Sequence, residues 1–241
     1  MPRPDAAAPV AVPVRDACTT WCAAWVVGQL LAAVVMGASG AGTLADAGAG
    51  WFALTAVVGW VPFLVAVHLV TVRHGGAEAA NPAQRIGLSF RPIDLLAVPV
   101  GVLVQVVVLP ALYWPLQQWF PDTFSLDEVE RRARELVDGT AGGPGTVILI
   151  LVVVVGAPVV EEIVYRGLLQ RSLIGRLGRW PAVALVAVVF ALVHFQPVEI
   201  PGLLAIALVL GVSTAITDRL GAGILAHMAF NAAGLVLVAR S

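Results

Sequence analysis

Residues 146–169 read TVILILVVVVGAPVVEEIVYRGLL, a long apolar stretch that contains two adjacent glutamates and an arginine. A helix needs about 20 consecutive apolar residues to cross the roughly 30 Å hydrocarbon core of a bilayer. We therefore predict a membrane span over residues 146–172. Because charged groups are costly in hydrocarbon, Glu161, Glu162 and Arg166 are expected to face the interior of a helical bundle or a water-filled cavity.

The remaining sequence has the composition of a membrane protein. Of its 241 residues, 59% are hydrophobic and 12% are charged, whereas soluble domains are about 45–50% apolar. We predict an all-α fold, a polytopic transmembrane helical bundle of about seven spans. The net charge of -1 offers no basis for binding nucleic acid, so the expected surroundings are bilayer lipids. The predicted spans are residues 17–38, 51–72, 94–114, 146–172, 181–196, 201–217 and 221–239.

The arginines predict how the chain is oriented. Alternating the spans places most of them on one side, which the positive-inside rule makes cytoplasmic. We expect an uncleaved first helix, a cytoplasmic N-terminus and a location in the plasma membrane, although the first apolar run also has features of a signal peptide. The arginines on the cytoplasmic side are Arg3, Arg15, Arg73, Arg85, Arg91, Arg166, Arg171, Arg176, Arg179 and Arg219; those on the opposite side are Arg131, Arg132, Arg134 and Arg240.

Residues 125–138, SLDEVERRARELVD, have a different pattern. Ser125 and Glu128 have the spacing of a helix capping box, and the apolar residues that follow share one helical face. This pattern predicts an amphipathic helix lying at the membrane interface, with a solvated charged helix as the alternative. Residues 1–14 and 75–85, rich in Ala, Pro and Gly, are expected to form a tail and a loop, and Cys18 and Cys22 to be small buried hydrophobic residues.

The spacing of the charged residues within span 146–172 separates the two glutamates. At about 100° per residue, Glu162 and Arg166 lie roughly 40° apart around the helix axis, whereas Glu161 and Arg166 lie roughly 140° apart. Arg166 is therefore expected to pair with Glu162. Glu161 then remains the freer carboxylate, suited to act as a general base. For Glu162 and Arg166, an ion pair that merely locks two helices together is the alternative.

Two later spans contain further polar groups at a matching depth. FALVH (190–194) ends on His194, and HMAFN (227–231) places His227 one turn before Asn231. Together with Glu161, these side chains could activate a water molecule and bind an oxyanion. His68, in an earlier span, is expected to be a hydrogen-bonded core residue instead.

These residues carry a family pattern. EEIVYRG (161–167), FALVH and HMAFN resemble the EExxxR, FxxxH and HxxxN motifs of the CAAX prenyl-protease and bacteriocin-processing (CPBP) family of intramembrane endopeptidases. The resemblance implies a helical bundle with a membrane cavity in which an activated water hydrolyses a peptide bond of a peptide or protein substrate. It assigns Glu161 and His194 to water activation and His227 and Asn231 to oxyanion stabilisation, with Glu162 and Arg166 in support.

The resemblance also predicts the organisation of the chain and raises the question of a metal. We expect one integral membrane domain over residues 1–241, with N-terminal spans and the amphipathic helix in 1–145 and the catalytic core in 146–239. Glu161, His194 and His227 could supply the three ligands of an open zinc site. The zincin signature HExxH is absent from the sequence, and a metal-free glutamate mechanism is slightly favoured.

Two other functions remain open at the level of sequence. Intramembrane Glu and His residues also form proton relays, as in a proton-coupled transporter. A non-catalytic membrane scaffold or immunity-type protein could keep the same fold and bind a partner. The grouping of the polar residues in the C-terminal half argues against the transporter, and the combination of three motifs favours the endopeptidase over both.

Overall fold

A computed structural model describes residues 12–75 and 81–240, and these residues form a bundle of α-helices. A single helical turn, Pro82–Arg85, precedes the third long helix. The predicted all-α helical bundle is confirmed. The main helices are α1 (Val14–Ser39), α2 (Gly48–Arg73), α3 (Pro92–Trp119), α4 (Leu126–Gly139), α5 (Gly143–Leu177), α6 (Arg179–Leu192), α7 (Ile200–Thr217) and α8 (Gly221–Val238).

Within the described ranges, six helices are long and apolar enough to cross a membrane: α1, α2, α3, α5, α7 and α8. Apolar residues on the outer faces of α1 and α2 are widely exposed, among them Leu30, Val34 and Leu69 at 63%, 69% and 62%. Such surfaces are stable against lipid tails. The chain is therefore an integral membrane protein with at least part of its helical surface in contact with the bilayer.

Helix α6 is shorter than the span predicted at 181–196. Its 14 residues extend about 21 Å at about 1.5 Å per residue, less than the roughly 30 Å of hydrocarbon. The helix ends at Leu192, Phe195 has a φ of 52°, and Gln196 precedes Pro197, a position that disfavours helical backbone. His194 therefore lies in the turn between α6 and α7. Non-helical backbone at this depth is tolerated where it lines a cavity.

Helix α5 forms the centre of the bundle. Its residues Val164 and Leu168 are at most 2% exposed and belong to the main buried cluster, together with Val186 and Phe190 of α6. This position turns one face of α5 towards α7 and α8 and another towards α1 and α2. The polar residues of α5 can therefore meet side chains from several helices.

Helices α1 and α2 cross closely at two glycines. A Cβ atom on Gly28 would lie 2.7 Å from the carbonyl oxygen of Gly59, closer than real Cβ contacts. A Cβ atom on Gly59 would meet nothing nearer than 3.9 Å. The absence of a side chain at Gly28 thus sets how closely the two helices approach.

The amphipathic helix forms as predicted. The Ser125 hydroxyl accepts a hydrogen bond from the backbone N–H of Glu128 at 3.2 Å, which caps α4. On its apolar face, Leu136 and Val137 pack against a cluster that includes Phe52. The helix thereby packs against the bundle, and its ion pair between Arg131 and Glu135 lies on the exposed face.

Three of the arginines predicted to share the cytoplasmic side lie close together, whereas Arg166, predicted on the same side, is fully buried within α5. Arg85 and Arg171 line the same small cavity. Arg171 pairs with Asp218 at 2.8 Å, and the adjacent Arg219 pairs with Asp94 at 2.5 Å. These contacts gather Arg85, Arg171 and Arg219 at one end of the bundle.

Parts of the predicted tail and loop fall at residues 1–11 and 76–80, outside the described residues. Two smaller predictions were wrong. Cys22 is exposed on α1 rather than buried, and His68 is exposed on α2 rather than in the core. Both residues lie on bilayer-spanning helices, where an exposed position is a lipid-facing one and burial was the wrong expectation.

Candidate active site

The two adjacent glutamates of α5 occupy different environments. The Glu162 side chain is 0% exposed, whereas that of Glu161 is 25% exposed. Neighbouring residues on a helix point about 100° apart, so one carboxylate enters the packed centre while the other reaches a cavity. This geometry agrees with the expectation that Glu161 is the freer of the two carboxylates.

Glu162 forms a buried ion pair with Arg166. Nη1 of Arg166 donates to Oε1 of Glu162 at 2.8 Å, and both side chains are 0% exposed. Nη2 of Arg166 also donates to the backbone carbonyl of Ala207 at 2.9 Å, which ties α5 to α7. The pairing follows the spacing of four residues along the helix. Because a buried charge is costly without a partner, the two residues depend on each other.

His227 of α8 lies between the two glutamates. Its Nδ1 is 3.2 Å from Oε1 of Glu162, and its Nε2 is 3.7 Å from Oε2 of Glu161. Since a carboxylate can only accept, Nδ1 carries a proton and donates to Glu162. The Glu162 carboxylate thus fixes the orientation of the imidazole and turns Nε2 towards Glu161.

The orientation of His194 is set by its own turn. Its Nδ1 is 2.6 Å from the backbone carbonyl oxygen of Phe190. Because a carbonyl oxygen accepts, Nδ1–H is the donor, and Nε2 of the neutral ring keeps its lone pair. In this tautomer Nε2 can accept a proton or a hydrogen bond from a water molecule.

Phe190 holds the polar residues together, a role that its place in the FALVH motif did not indicate. Its ring is 1% exposed and lies 4.7 Å from the ring of His194 and 6.0 Å from that of His227. The ring of Tyr165 is 5.1 Å away, and Cζ of Arg166 lies 4.9 Å above the ring of Phe190. A single aromatic side chain therefore contacts both histidines and the buried arginine.

Glu161 and His194 line one cavity of about 250 Å³. Helices α1 and α2 supply much of its wall, including Trp25, Gln29 and Trp60. The sequence motifs did not predict that these N-terminal residues line the cavity. Only Gln29 carried a signal, because it is a polar residue in an otherwise apolar span. The remaining lining residues are Gly28, Ala32, Thr55, Ala56, Gly59, Phe63, Val160, Val164, Tyr165 and Val193.

Asn231 is separated from this cavity. Its Nδ2 donates to the backbone carbonyl of Val153 at 2.8 Å, and neither it nor His227 is among the residues lining the cavity. The structure therefore brings Glu161 and His194 to one space and places His227 against Glu161. The fourth predicted residue, Asn231, lies one turn further along α8.

A second cavity of about 420 Å³ lies between α3, α4, α7 and α8. None of the predicted site residues lines it. Its wall is mainly apolar and includes Leu109, Tyr113 and Phe230. The larger volume does not make it the better candidate, because the groups able to activate water lie at the smaller cavity.

A zinc ion at this site would have to be held by Glu161, His194 and His227. Zinc ligands lie about 2.0–2.2 Å from the metal, so three ligand atoms must converge. Glu161 and His227 approach each other, but among the described residues no group of three or more His, Cys, Asp or Glu side chains is placed to hold a metal ion. The ligand set does not fit, and no step below passes through a metal.

The fold and the site define a polytopic α-helical membrane protein with a carboxylate and a histidine facing one internal cavity. Residues 143–233 match the family model of "Type II CAAX prenyl endopeptidase Rce1-like". The matched segment includes all three motifs and confirms the family resemblance that they indicate. Neither the curated proteins nor the solved structures gave a match to the chain.

Proposed function

We propose that the protein is an intramembrane endopeptidase that hydrolyses a peptide bond of a membrane-associated protein or peptide with an activated water molecule. The observation that carries the proposal is the shared cavity of Glu161 and His194, two groups from separate elements of a membrane-embedded bundle. The family match over residues 143–233 supports the same reaction class.

In this mechanism Glu161 is the general base. Its carboxylate takes a proton from a water molecule in the cavity as the water oxygen attacks the carbonyl carbon of the peptide. His194 directs the water through the lone pair on Nε2. The proton held by Glu161 then passes to the nitrogen of the leaving amine as the carbon–nitrogen bond breaks. General acid–base catalysis of this kind contributes about 10²- to 10⁴-fold.

The oxyanion of the tetrahedral intermediate needs hydrogen-bond donors. The proposed donors are His227 and Asn231 of α8, towards which the carbonyl oxygen of the peptide would have to point from the cavity. Because Nδ1–H of His227 already donates to Glu162, His227 would donate from Nε2–H as an imidazolium, whereas Asn231 would donate from its amide. The Nδ2 group of Asn231 carries two hydrogens, and the bond to Val153 uses one of them. Glu162 and Arg166 support the site by holding His227 and fixing α5 against α7.

The proposed membrane is the plasma membrane, with the N-terminus in the cytoplasm. The grouping of Arg85, Arg171 and Arg219 at one end of the bundle supports this orientation through the positive-inside rule. Accessibility of single cysteines to a membrane-impermeant reagent, introduced at each end in a background of Cys18→Ser and Cys22→Ser, tests it.

Cleavage by proteoliposomes tests the proposed reaction. Purified wild-type protein is incubated with a set of membrane-inserted peptides, and the products are identified by mass spectrometry. Glu161→Gln and His194→Ala are expected to lose at least about 100-fold in rate. Glu135→Gln is the matched control, because it removes a carboxylate from the exposed face of α4, where Glu135 is 46% exposed.

Wild-type rates in both Glu161→Gln and His194→Ala would refute the assignment. Coupled proton and solute flux without cleavage would favour the transporter instead. A binding function that survives the simultaneous loss of Glu161, His194 and His227 would favour the scaffold.

A further inference from the structure

The backbone around His194 needs support from outside its own turn. Phe195, which follows it, has a φ of 52°, an unfavourable conformation for a residue with a side chain that persists only where the surroundings hold it. Within the turn, the N–H of Phe195 donates to the carbonyl of Leu192 at 3.1 Å and that of Glu199 to Gln196 at 2.9 Å. These local bonds close the turn, but they do not attach it to another helix.

Tyr113 of α3 makes such an attachment. Its hydroxyl donates to the backbone carbonyl of Val198 at 2.7 Å and accepts from the N–H of Gly202 at 3.3 Å. Gly202 is in the first turn of α7, where backbone N–H groups have no partner within the helix. One phenol therefore anchors the end of the His194 turn and caps the helix that follows it.

The packing around this phenol is close. Tyr113 is 6% exposed, and its ring lies 6.0 Å from the ring of Phe124. A Cβ atom on Gly202 would lie 3.2 Å from the hydroxyl oxygen and 3.3 Å from a ring carbon, so a larger residue would press against both. The glycine leaves the space that the hydrogen bond requires.

We propose that Tyr113 is a positioning residue for His194, an inference that rests on the proposed endopeptidase function. By holding Val198 and the first turn of α7, Tyr113 fixes where the turn places the imidazole relative to Glu161. Tyr113 lies outside the family-matched residues 143–233, so the N-terminal half contributes to the reaction through this anchor. It does not touch the cavity that holds Glu161 and His194.

The substitution Tyr113→Phe tests the inference, because it removes the hydroxyl and keeps the ring. Misplacing a catalytic group by about 1 Å costs about 100-fold, so we expect kcat to fall about 10- to 100-fold while KM changes less than about threefold. Hydrogen exchange of the backbone amides in residues 193–203 should become faster. The Tm in detergent should remain near that of the wild type.

Two further variants test whether the effect of Tyr113→Phe comes from the lost hydrogen bonds. Gly202→Ala perturbs the same contact from the other side and is expected to lower kcat in the same way. Trp114→Phe changes the next residue of α3, which is 66% exposed, and is expected to leave kcat unchanged. If Tyr113→Phe does not fold, Gly202→Ala carries the test.

A double-mutant cycle separates positioning from general support. Since Tyr113 acts through His194, adding Tyr113→Phe to His194→Ala should lower the residual rate by less than about twofold. An equal loss in both backgrounds would overturn the inference, as would wild-type kcat in Tyr113→Phe while His194→Ala is inactive. Wild-type cleavage by His194→Ala would instead refute the role of His194, and the absence of any cleavage by the wild-type protein would refute the proposed function itself.

Discussion

Nδ1 of His227 lies 3.2 Å from Oε1 of Glu162, the same oxygen that accepts from Arg166. This contact joins α8 to α5 and leaves Nε2 of the imidazole facing Glu161. Two glutamates that are adjacent in sequence thus have different tasks. One is a buried anchor for a histidine and an arginine, and the other reaches the cavity.

Neutralising the two glutamates should affect stability unequally. Glu162→Gln leaves the charge of Arg166 buried without a carboxylate, and breaking a buried pair costs about 3–5 kcal/mol. Glu161→Gln, at a side chain that is 25% exposed, should cost less than about 1 kcal/mol. Reversible unfolding in mixed micelles measures both values. Equal losses of unfolding free energy would contradict this description of the site.

Removing both charges of the ion pair should harm the fold less than removing one. Arg166→Met alone strands the carboxylate of Glu162, whereas the double variant Glu162→Gln/Arg166→Met buries no charge. Replacing a buried pair by neutral groups is often nearly neutral for stability, so the double variant should be at least about 2 kcal/mol more stable than Arg166→Met. The same unfolding assay applies, and additive losses would argue against the pair.

The sequence predicts the helices more completely than it predicts the site. The long apolar runs predict α1, α2, α3, α5, α7 and α8, since membrane spans follow from length and composition. The Glu162–Arg166 pair follows from helical spacing alone. The end of α6 was not predicted from the sequence. The helix stops before Phe195 and the Gln196–Pro197 step, although the apolar stretch continues beyond the end of the helix.

Contacts between distant helices were beyond prediction for a different reason. Apolar spans have no periodic polar face, so nothing in the sequence shows that Trp25 and Trp60 line the wall beside Glu161. Likewise the bond from Tyr113 to Val198 joins residues 85 positions apart. Such pairings depend on how the helices are arranged in the bundle, which a single sequence leaves open.

The crossing of α1 and α2 offers a test of how tightly the cavity wall is built. Gly28→Ala would place Cβ 2.7 Å from the carbonyl oxygen of Gly59, and overpacking of this kind costs about 1–3 kcal/mol. Because both glycines line the cavity, cleavage should slow as well. Gly59→Ala is the matched control, with its nearest neighbours at 3.9 Å, and should change the Tm little. A larger drop in Tm for Gly59→Ala would contradict the geometry.

The ring of Phe190 should matter for both stability and activity. Phe190→Ala removes a side chain that is 1% exposed, and a cavity of that size costs about 3–5 kcal/mol. It also frees the rings of His194 and His227, so kcat should fall. Phe90→Ala, at a residue 56% exposed, is the control and should stay within about 1 kcal/mol of the wild type. Similar Tm values for both variants would refute a central role for Phe190.

The mechanism proposed here predicts that cleavage does not require a metal ion. This prediction rests on geometry, because the side chains of Glu161, His194 and His227 do not converge as a ligand set. Purified protein should therefore contain less than about 0.1 zinc per chain and cleave at the same rate before and after dialysis against a chelator. A zincin-type protease assayed in parallel verifies that the chelator works. Stoichiometric zinc, with activity lost on chelation and restored by zinc but not in His194→Ala, would replace the glutamate mechanism by a metal-assisted one.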